Sequence, residues 1–190
     1  MANVIVIYAT DYGNTKKMAE ALAQGAASVP MTIVTLKEAL AVTMDDLTAA
    51  DAIVLGSPVH MGSMHWKMKK MIDEVCSRLW MPDALVGKVG AVFASGGGFG
   101  GAGEGVELAM LSMVNNLVEL GMIFVPLPKN TAHYADGGLQ WGPYGRSGDH
   151  DGKPVGIADS VLEVCTAHGA NIARVAQELA GKRCFATPVS

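Results

Sequence analysis

Short apolar runs alternate along this 190-residue chain with segments whose apolar residues recur at helical spacing. The apolar runs lie at 3–8, 31–36, 52–56, 88–94 and 122–126. Each run is apolar at both odd and even positions, which is typical of parallel strands that are buried on both faces of a sheet. The helical spacing occupies about 14–28, 43–49, 65–79, 105–120 and 158–180. Five strands that alternate with helices predict a doubly wound α/β sheet with helices on both faces.

The last helical segment shows which of its residues would pack on the sheet. The apolar positions that we expect to face the core are Val161, Leu162, Val164, Cys165, Ile172, Val175, Ala176 and Leu179. No internal repeat and no linker-like stretch divides the chain. Residues 1–190 are therefore predicted to form one domain with a full-sized core.

The loop after the first predicted strand carries candidate chemistry, because ligands of doubly wound sheets bind beyond the carboxyl ends of the strands. This loop, Thr10-Asp11-Tyr12-Gly13-Asn14-Thr15, leads directly into a helix. Free N–H groups and the positive end of the helix dipole attract an anion there, and threonine hydroxyls can donate to phosphate oxygens. The loop matches neither the dinucleotide-binding glycine motif nor the Walker A motif. It indicates either a phosphate site or an ordinary strand-to-helix turn with a threonine cap.

The loops after the third and fourth predicted strands would reach the same edge of the sheet. The stretch 56–64 is rich in Pro and Gly and offers Val59 and Met61, which suit a flat aromatic ligand. The stretch 95–104 is mostly glycine, so bare backbone can approach the edge of a heterocycle. A flexible surface loop is the alternative interpretation of the glycine-rich stretch.

Charge and hydropathy exclude several classes of partner. The net charge is −4, and no basic cluster extends beyond Lys16-Lys17 and Lys67, Lys69 and Lys70, which argues against nucleic acid. No apolar run approaches the roughly 18 residues that span a membrane, so we expect no membrane partner. The chain enters a strand pattern at once, without the features of a signal peptide, so we expect a cytoplasmic location.

Cysteine and histidine positions predict neither a disulfide nor a metal site. Cys76, Cys165 and Cys184 are far apart, and Cys76 falls in a helical pattern where a buried thiol is expected. Asp149-His150-Asp151-Gly152 lacks the further carboxylates of a calcium loop. His60 and His65 share a loop–helix junction but show no further ligand in the sequence.

Six short motifs, taken in order, carry a family resemblance. They are Tyr-Ala-Thr-Asp-Tyr-Gly-Asn-Thr at 8–15, Gly-Ser-Pro-Val-His-Met-Gly-Ser-Met at 56–64, Leu-Trp at 79–80, Gly-Lys-Val-Gly-Ala-Val-Phe-Ala-Ser-Gly-Gly at 87–97, Gly-Met-Ile-Phe-Val-Pro at 121–126 and Gly-Pro-Tyr-Gly at 142–145. With them the chain resembles flavodoxin-fold FMN proteins and, more narrowly, the WrbA-type NAD(P)H:quinone oxidoreductases. The resemblance implies a flavodoxin-like α/β fold with a five-stranded parallel sheet of strand order 2-1-3-4-5, and FMN as cofactor.

The resemblance also implies which residues form the site. The implied cofactor-binding residues are Thr10, Asp11, Tyr12, Gly13, Asn14, Thr15, Pro58, Val59, His60, Met61, Gly62, Ser95, Gly96, Gly97, Gly98, Phe99, Gly100 and Gly101. Tyr12 and Trp80 would border the substrate, Trp80 by reaching toward a neighbouring subunit. FMN would carry the chemistry, so no side chain is assigned as catalytic. His60, His133 and Tyr134 are candidates to give a proton or a hydrogen bond to a quinone oxygen.

The implied function is two-electron transfer from NADH or NADPH through FMN to a quinone, in a homo-oligomer that is a dimer or tetramer. A flavodoxin-like electron carrier that docks to redox proteins is the alternative, and the net charge supports it weakly. A flavin-sequestering regulatory protein is a third possibility, because Leu120 stands where the family has a histidine. The long segment 137–156 suggests function, with Trp141, Tyr144 and Arg146 over the flavin or against a partner subunit.

Overall fold

The computed structural model describes residues 1–101, 103–182 and 184–185. Its strands are β1 (Ala2–Tyr8), β2 (Thr32–Glu38), β3 (Ala52–His60), β4 (Ser63–Met64), β5 (Val89–Gly96), β6 (Ile123–Phe124), β7 (Gly138–Leu139) and β8 (Gly142–Arg146). Its α-helices are α1 (Asn14–Ala27), α2 (Met44–Ala49), α3 (Trp66–Met71), α4 (Ser77–Trp80), α5 (Val106–Glu119), α6 (Tyr134–Gly137) and α7 (Asp159–Leu179). A π-helical turn, Ile72–Cys76, joins α3 to α4. Four strands and the five predicted helical segments form within a few residues of the predicted positions.

The sheet confirms the doubly wound α/β fold. β1 lies between β2 and β3, and β5 lies beyond β3, with all of these strands parallel. In the register, Ile5 of β1 pairs with Thr35 on one side and with Ile53 on the other. The predicted order 2-1-3-4-5 therefore holds when β5 is counted as the fourth strand.

The fifth position of the sheet differs from the prediction of one strand over 122–126. Two short strands share it, because β6 pairs with the start of β5 and β8 pairs with its end. The first ladder ends where Val125 N–H donates to the carbonyl of Gly90. Pro126 follows, and a proline has no N–H to continue the ladder. The chain then leaves the sheet and returns at Gly142, after the two-residue strand β7, which pairs antiparallel with β8.

Both faces of the sheet are largely buried along β1, β3 and β5, as predicted, whereas β2 lies at the edge and has no buried residue, so the prediction of burial on both faces was wrong for that strand. Along β1, Val4 and Val6 pack in one cluster with residues of α1 and α7. Ile5 and Ile7 pack in the other cluster, with residues of α3 and α5. Cys76 is buried in that second cluster, as expected, and burial raises the pKa of its thiol to about 12.

The last helix, α7, buries nearly the set of residues that was predicted. Val161, Val164, Cys165, Ile172 and Ala176 are buried as expected, and His168, Gly169 and Ala173 are buried beside them. The expected core residues Leu162, Val175 and Leu179 are partly buried against the same cluster. Among the residues that the structure describes, no helix combines the length and the hydropathy needed to cross a bilayer.

Candidate functional site

A cleft of about 390 Å³ opens at the carboxyl ends of β1, β3 and β5. The strand order reverses between β1 and β3, so the cleft lies where doubly wound folds bind ligands. Its lining residues are Thr10, Asp11, Tyr12, Asn14, Thr15, Pro58, Val59, His60, Ser95, Gly96, Gly97, Ser147, Gly148, Gly152, Pro154 and Gly156. The structure thus brings together the three loops that the sequence analysis selected, and it adds a fourth from 147–156.

The first loop presents an open helix N-terminus to the cleft. Gly13 is the N-cap of α1, with φ at 83°, and no side chain caps the helix. Among the described residues, no acceptor binds the backbone N–H of Asn14, Thr15 or Lys16. The hydroxyl of Thr10 accepts the N–H of Gly13 at 3.0 Å and thereby shapes the turn. Free N–H groups at the positive end of a 14-residue helix form a site for an anion.

Two buried hydroxyls lie beneath this helix end. Thr15 Oγ1 and Ser95 Oγ are 2.8 Å apart, and the two residues are 1 % and 2 % exposed. A single hydrogen bond between two hydroxyls uses one proton, so the second proton has no acceptor among the described residues. Because both residues line the cleft, a ligand oxygen there would satisfy that proton.

The second loop is a tight hairpin rather than a simple turn into a helix. β3 continues to His60 and pairs with β4, so that His60 opposes Ser63. Met61 and Gly62 between them have φ of 47° and 76°, the two left-handed residues of a type I′ turn. Met61 points into solvent and Gly62 does not line the cleft, whereas Pro58 and Val59 form an apolar part of its wall.

Asp11 and His65 connect the first loop to the second. His65 is completely buried, and its Nε2 lies 3.0 Å from Asp11 Oδ2. Its Nδ1 accepts the N–H of Lys67 at 3.1 Å and so caps α3. This assigns the ring proton to Nε2, which donates to Asp11. The hydrogen bond from His65 is the main cause that lowers the pKa of Asp11, so its carboxylate is charged at neutral pH.

Two further groups surround the same carboxylate. His60 Nε2 is 3.5 Å from Asp11 Oδ2, and Lys67 Nζ is 3.7 Å from Asp11 Oδ1. The ligand-type atoms of Asp11, His60 and His65 lie within 4.8 Å of one another, so the fold supplies the third group that the sequence did not show. Because Nδ1 of His65 accepts the backbone N–H of Lys67, the ring proton stays on Nε2. A protonated Nε2 suits donation to Asp11 and not metal binding.

The glycine-rich loop turns part of its backbone away from the cleft. Gly96 and Gly97 line the cleft, whereas Gly98, Phe99, Gly100 and Gly101 do not. The N–H of Phe99 donates to Glu104 Oε1 at 3.0 Å. Hydrogen bonds from the backbone of Gly98 and Phe99 lower the pKa of Glu104. These N–H groups therefore donate to the Glu104 carboxylate and not to a ligand in the cleft.

The end of the long segment 137–156 forms a wall of the cleft through 147–156, and not through Trp141, Tyr144 or Arg146. The N–H of Gly148 donates to the carbonyl of Gly97 at 3.0 Å, and the N–H of Gly100 donates to that of His150, also at 3.0 Å. Asp149 Oδ1 accepts the N–H groups of Asp151 and Lys153, so it closes a turn. The only signal in the sequence was the length and glycine content of the segment.

The other predicted residues do not line the cleft. Trp80 is about half exposed and shares a separate cavity of about 210 Å³ with Leu120. His133 is the N-cap of α6, beside Tyr134, and its ring nitrogens lie near the carboxylates of Asp136 and Glu163. Trp141 and Tyr144 pack against the core, and Arg146 donates to the carbonyl of Gly101. A role for Trp80 in a neighbouring subunit's site stays a prediction.

Comparison with known proteins assigns the family. The model of the flavodoxin domain matches residues 5–93. A flavodoxin of Aquifex aeolicus (strain VF5) is 41 % identical over 136 residues, which cover 70 % of this chain and 72 % of that protein. The chain therefore belongs to the flavodoxin family.

Two solved structures resemble the whole fold. A flavodoxin, WrbA-like protein from Agrobacterium tumefaciens has a TM-score of 0.72 and 25 % identity, over 94 % of this chain and 99 % of that one. A flavodoxin from the domain Archaea has a TM-score of 0.66 and 28 % identity, over 92 % and 99 %. The first likeness is compatible with the narrower WrbA-type interpretation, and the family assignment itself is to flavodoxins.

Proposed function

We propose that the cleft binds FMN and that the protein is an electron carrier of the flavodoxin type. The observation that carries the proposal is the open N-terminus of α1 above the Thr15–Ser95 hydroxyl pair. This donor set suits a phosphate with a hydroxylated chain behind it, and the apolar wall at Pro58 and Val59 suits a flat ring. The isoalloxazine ring of bound FMN would supply the redox chemistry.

The fit of FMN to the cleft rests on hydrogen-bond donors that have no acceptor among the described residues. Free N–H groups at Asn14, Thr15 and Lys16, together with the unsatisfied hydroxyl proton of the pair, would each find an acceptor on a phosphate ester. The buried hydroxyl of Tyr144 also has no hydrogen-bond partner among the described residues, and it would lie 3.4 Å from a Cβ placed on Gly96, which lines the cleft.

FMN titration tests this proposal. FMN fluorescence should be quenched on binding to the apoprotein, and Thr15→Val should weaken FMN binding about tenfold, since it removes a buried hydroxyl and leaves Ser95 unpaired. Thr166→Val is the matched control, because among the described residues the Thr166 hydroxyl donates only to the carbonyl of Leu162 in α7. Absence of FMN binding by the parent protein would reject the proposal.

Two-electron reduction of a quinone by NADH or NADPH is the second candidate function. The extent of the likeness to the WrbA-like structure favours it. So does a groove of about 620 Å³ that His60 shares with the cleft, which leaves room for a second ligand beside Trp66 and Lys69. A homo-oligomer remains part of this proposal, and sedimentation would measure it.

Stopped-flow mixing separates the two functions. Rapid loss of oxidised-flavin absorbance with NADH or NADPH, followed by reoxidation with benzoquinone, supports the enzyme. A flavoprotein that neither nucleotide reduces, but that passes electrons to a one-electron acceptor such as cytochrome c after chemical reduction, supports the carrier.

A further inference from the structure

The carboxylate of Asp11 is in an unusual arrangement, because it stands beside an uncapped helix N-terminus without capping it. Aspartate is among the preferred capping residues, and a carboxylate is stabilised by the positive end of a helix. Asp11 lies two residues before the N-cap Gly13, yet among the described residues no side chain caps α1. The carboxylate instead accepts a hydrogen bond from His65, with His60 and Lys67 near it.

Hydrogen bonds at its backbone and at its Nδ1 fix His65 for this contact. Its backbone N–H donates to Ser57 Oγ at 2.7 Å, and Ser57 is itself buried in β3. Its Nδ1 accepts the N–H of Lys67, which leaves Nε2–H aimed at Asp11. Since the side chain is completely buried, the ring has no room to turn toward water.

We propose that His65 is a positioning residue that holds the Asp11 carboxylate out of the α1 N-terminus and so keeps the N–H groups of Asn14, Thr15 and Lys16 free for a ligand phosphate. Released from His65, Asp11 would compete for those N–H groups and repel a phosphate dianion. The inference rests on the proposed FMN site, and it assigns His65 a role in phosphate binding although His65 does not line the cleft.

His65→Asn separates this role from the cap of α3. Asparagine is a preferred N-cap and keeps an acceptor for the N–H of Lys67, but its side chain is too short to replace the Nε2 contact with Asp11. We expect FMN affinity to fall about tenfold, because one capping contact of a carboxylate competes with the phosphate. Riboflavin, which lacks the phosphate, should lose no more than about threefold.

Removal of the Asp11 charge should rescue the variant. Asp11→Ala combined with His65→Asn should bind FMN within about threefold of Asp11→Ala alone, because alanine neither repels the dianion nor offers an acceptor to the N–H groups of α1. Equal losses for FMN and riboflavin, or no rescue by Asp11→Ala, would mean that His65 acts through folding alone and would overturn the inference.

A measurement without flavin distinguishes failure of this inference from failure of the proposed function. In the amide NMR spectrum of the apoprotein, Asn14, Thr15 and Lys16 should follow the titration of Asp11 in His65→Asn and not in the parent. The parent should also show His65 with its proton on Nε2. A proton on Nδ1, or amides that already follow Asp11 in the parent, would overturn the inference whether or not FMN binds. A parent that passes these tests but binds no FMN would reject only the proposed function.

Discussion

His168 of α7 is a polar residue in an apolar core. It is completely buried, and neither ring nitrogen has a hydrogen-bond partner among the described residues. Burial lowers the pKa of His168 from its ordinary value of 6.5 to about 4. The folded protein therefore holds a neutral imidazole where the unfolded chain would hold a charged one under mildly acidic conditions.

The pH dependence of stability follows from this shift. Between about pH 6.5 and pH 4 the unfolded chain binds a proton that folded His168 does not, so stability falls as the pH falls through this window. The contribution is at most about 1.4 kcal/mol per pH unit, and it is fully regained above pH 6.5. His168→Leu should remove this part of the acid dependence in urea unfolding series at several pH values.

Ile172→Val is the matched control for His168→Leu. It alters the same buried face of α7 one turn later but adds and removes no titratable group. It should lower the free energy of unfolding by about 0.5–1.5 kcal/mol equally at every pH. An acid dependence that is unchanged in His168→Leu would show that His168 is protonated in the fold.

Functional residues could be predicted where the groups that act together are close in the sequence. Thr10 to Thr15 could be predicted, because strand, loop and helix follow one another and place hydroxyls at a helix end. The contact of Asp11 with His65 could not, since it joins residues 54 positions apart and depends on which ring nitrogen caps α3. The burial of His168 was not predicted, because the side chain is polar, although His168 lies at helical spacing from Val164 and Cys165.

At the scale of elements, the sequence predicted the strands and helices whose hydrophobic pattern is continuous. β1, β3 and β5 each contain a run of buried apolar residues, and α7 has a long amphipathic pattern. The fifth strand was harder to predict, because β6 and β8 are only two and five residues long and take their place in the sheet by pairing with β5. The wall of the cleft at 147–156 was hard to predict for the same reason, because it follows β8 and its position depends on the pairing of β8 with β5.

The contact between α1 and α7 leads to a prediction at this scale. A Cβ at Gly25 would overlap the carbonyl oxygen of Thr166, and a Cβ at Gly169 would overlap that of Leu22. Each helix thus uses a glycine to let the other's backbone approach. Gly169→Ala should lower the free energy of unfolding by about 1–3 kcal/mol despite the better helix propensity of alanine. Chemical denaturation measures the change.

Gln24→Ala provides the comparison for Gly169→Ala. Gln24 is exposed on α1, next to the crossing but outside it, so its replacement should change the free energy of unfolding by less than about 0.5 kcal/mol. Stabilisation by Gly169→Ala would show that the two helices lie farther apart than in the structure.

At the scale of the whole molecule, two core clusters share one sheet. Cys76 lies in the cluster on the α3–α5 face, and Cys165 lies in the cluster on the α1–α7 face. The strands that separate the clusters contribute alternate residues to each, as Val4 and Ile5 do in β1. Loss of the sheet would expose both clusters at once, so the two faces should unfold as one cooperative unit.

Thiol labelling in a denaturant series tests this cooperativity, and with it the prediction of a single domain. Burial raises the pKa of both Cys76 and Cys165, so their thiols should react only on unfolding, whereas exposed Cys184 should react at every denaturant concentration. The two buried cysteines should become reactive at the same midpoint. FMN at about 100 times its Kd should stabilise the protein by about 2.7 kcal/mol and move both midpoints together. If FMN moved only one midpoint, the faces would be separate folding units, and the cleft would belong to one of them.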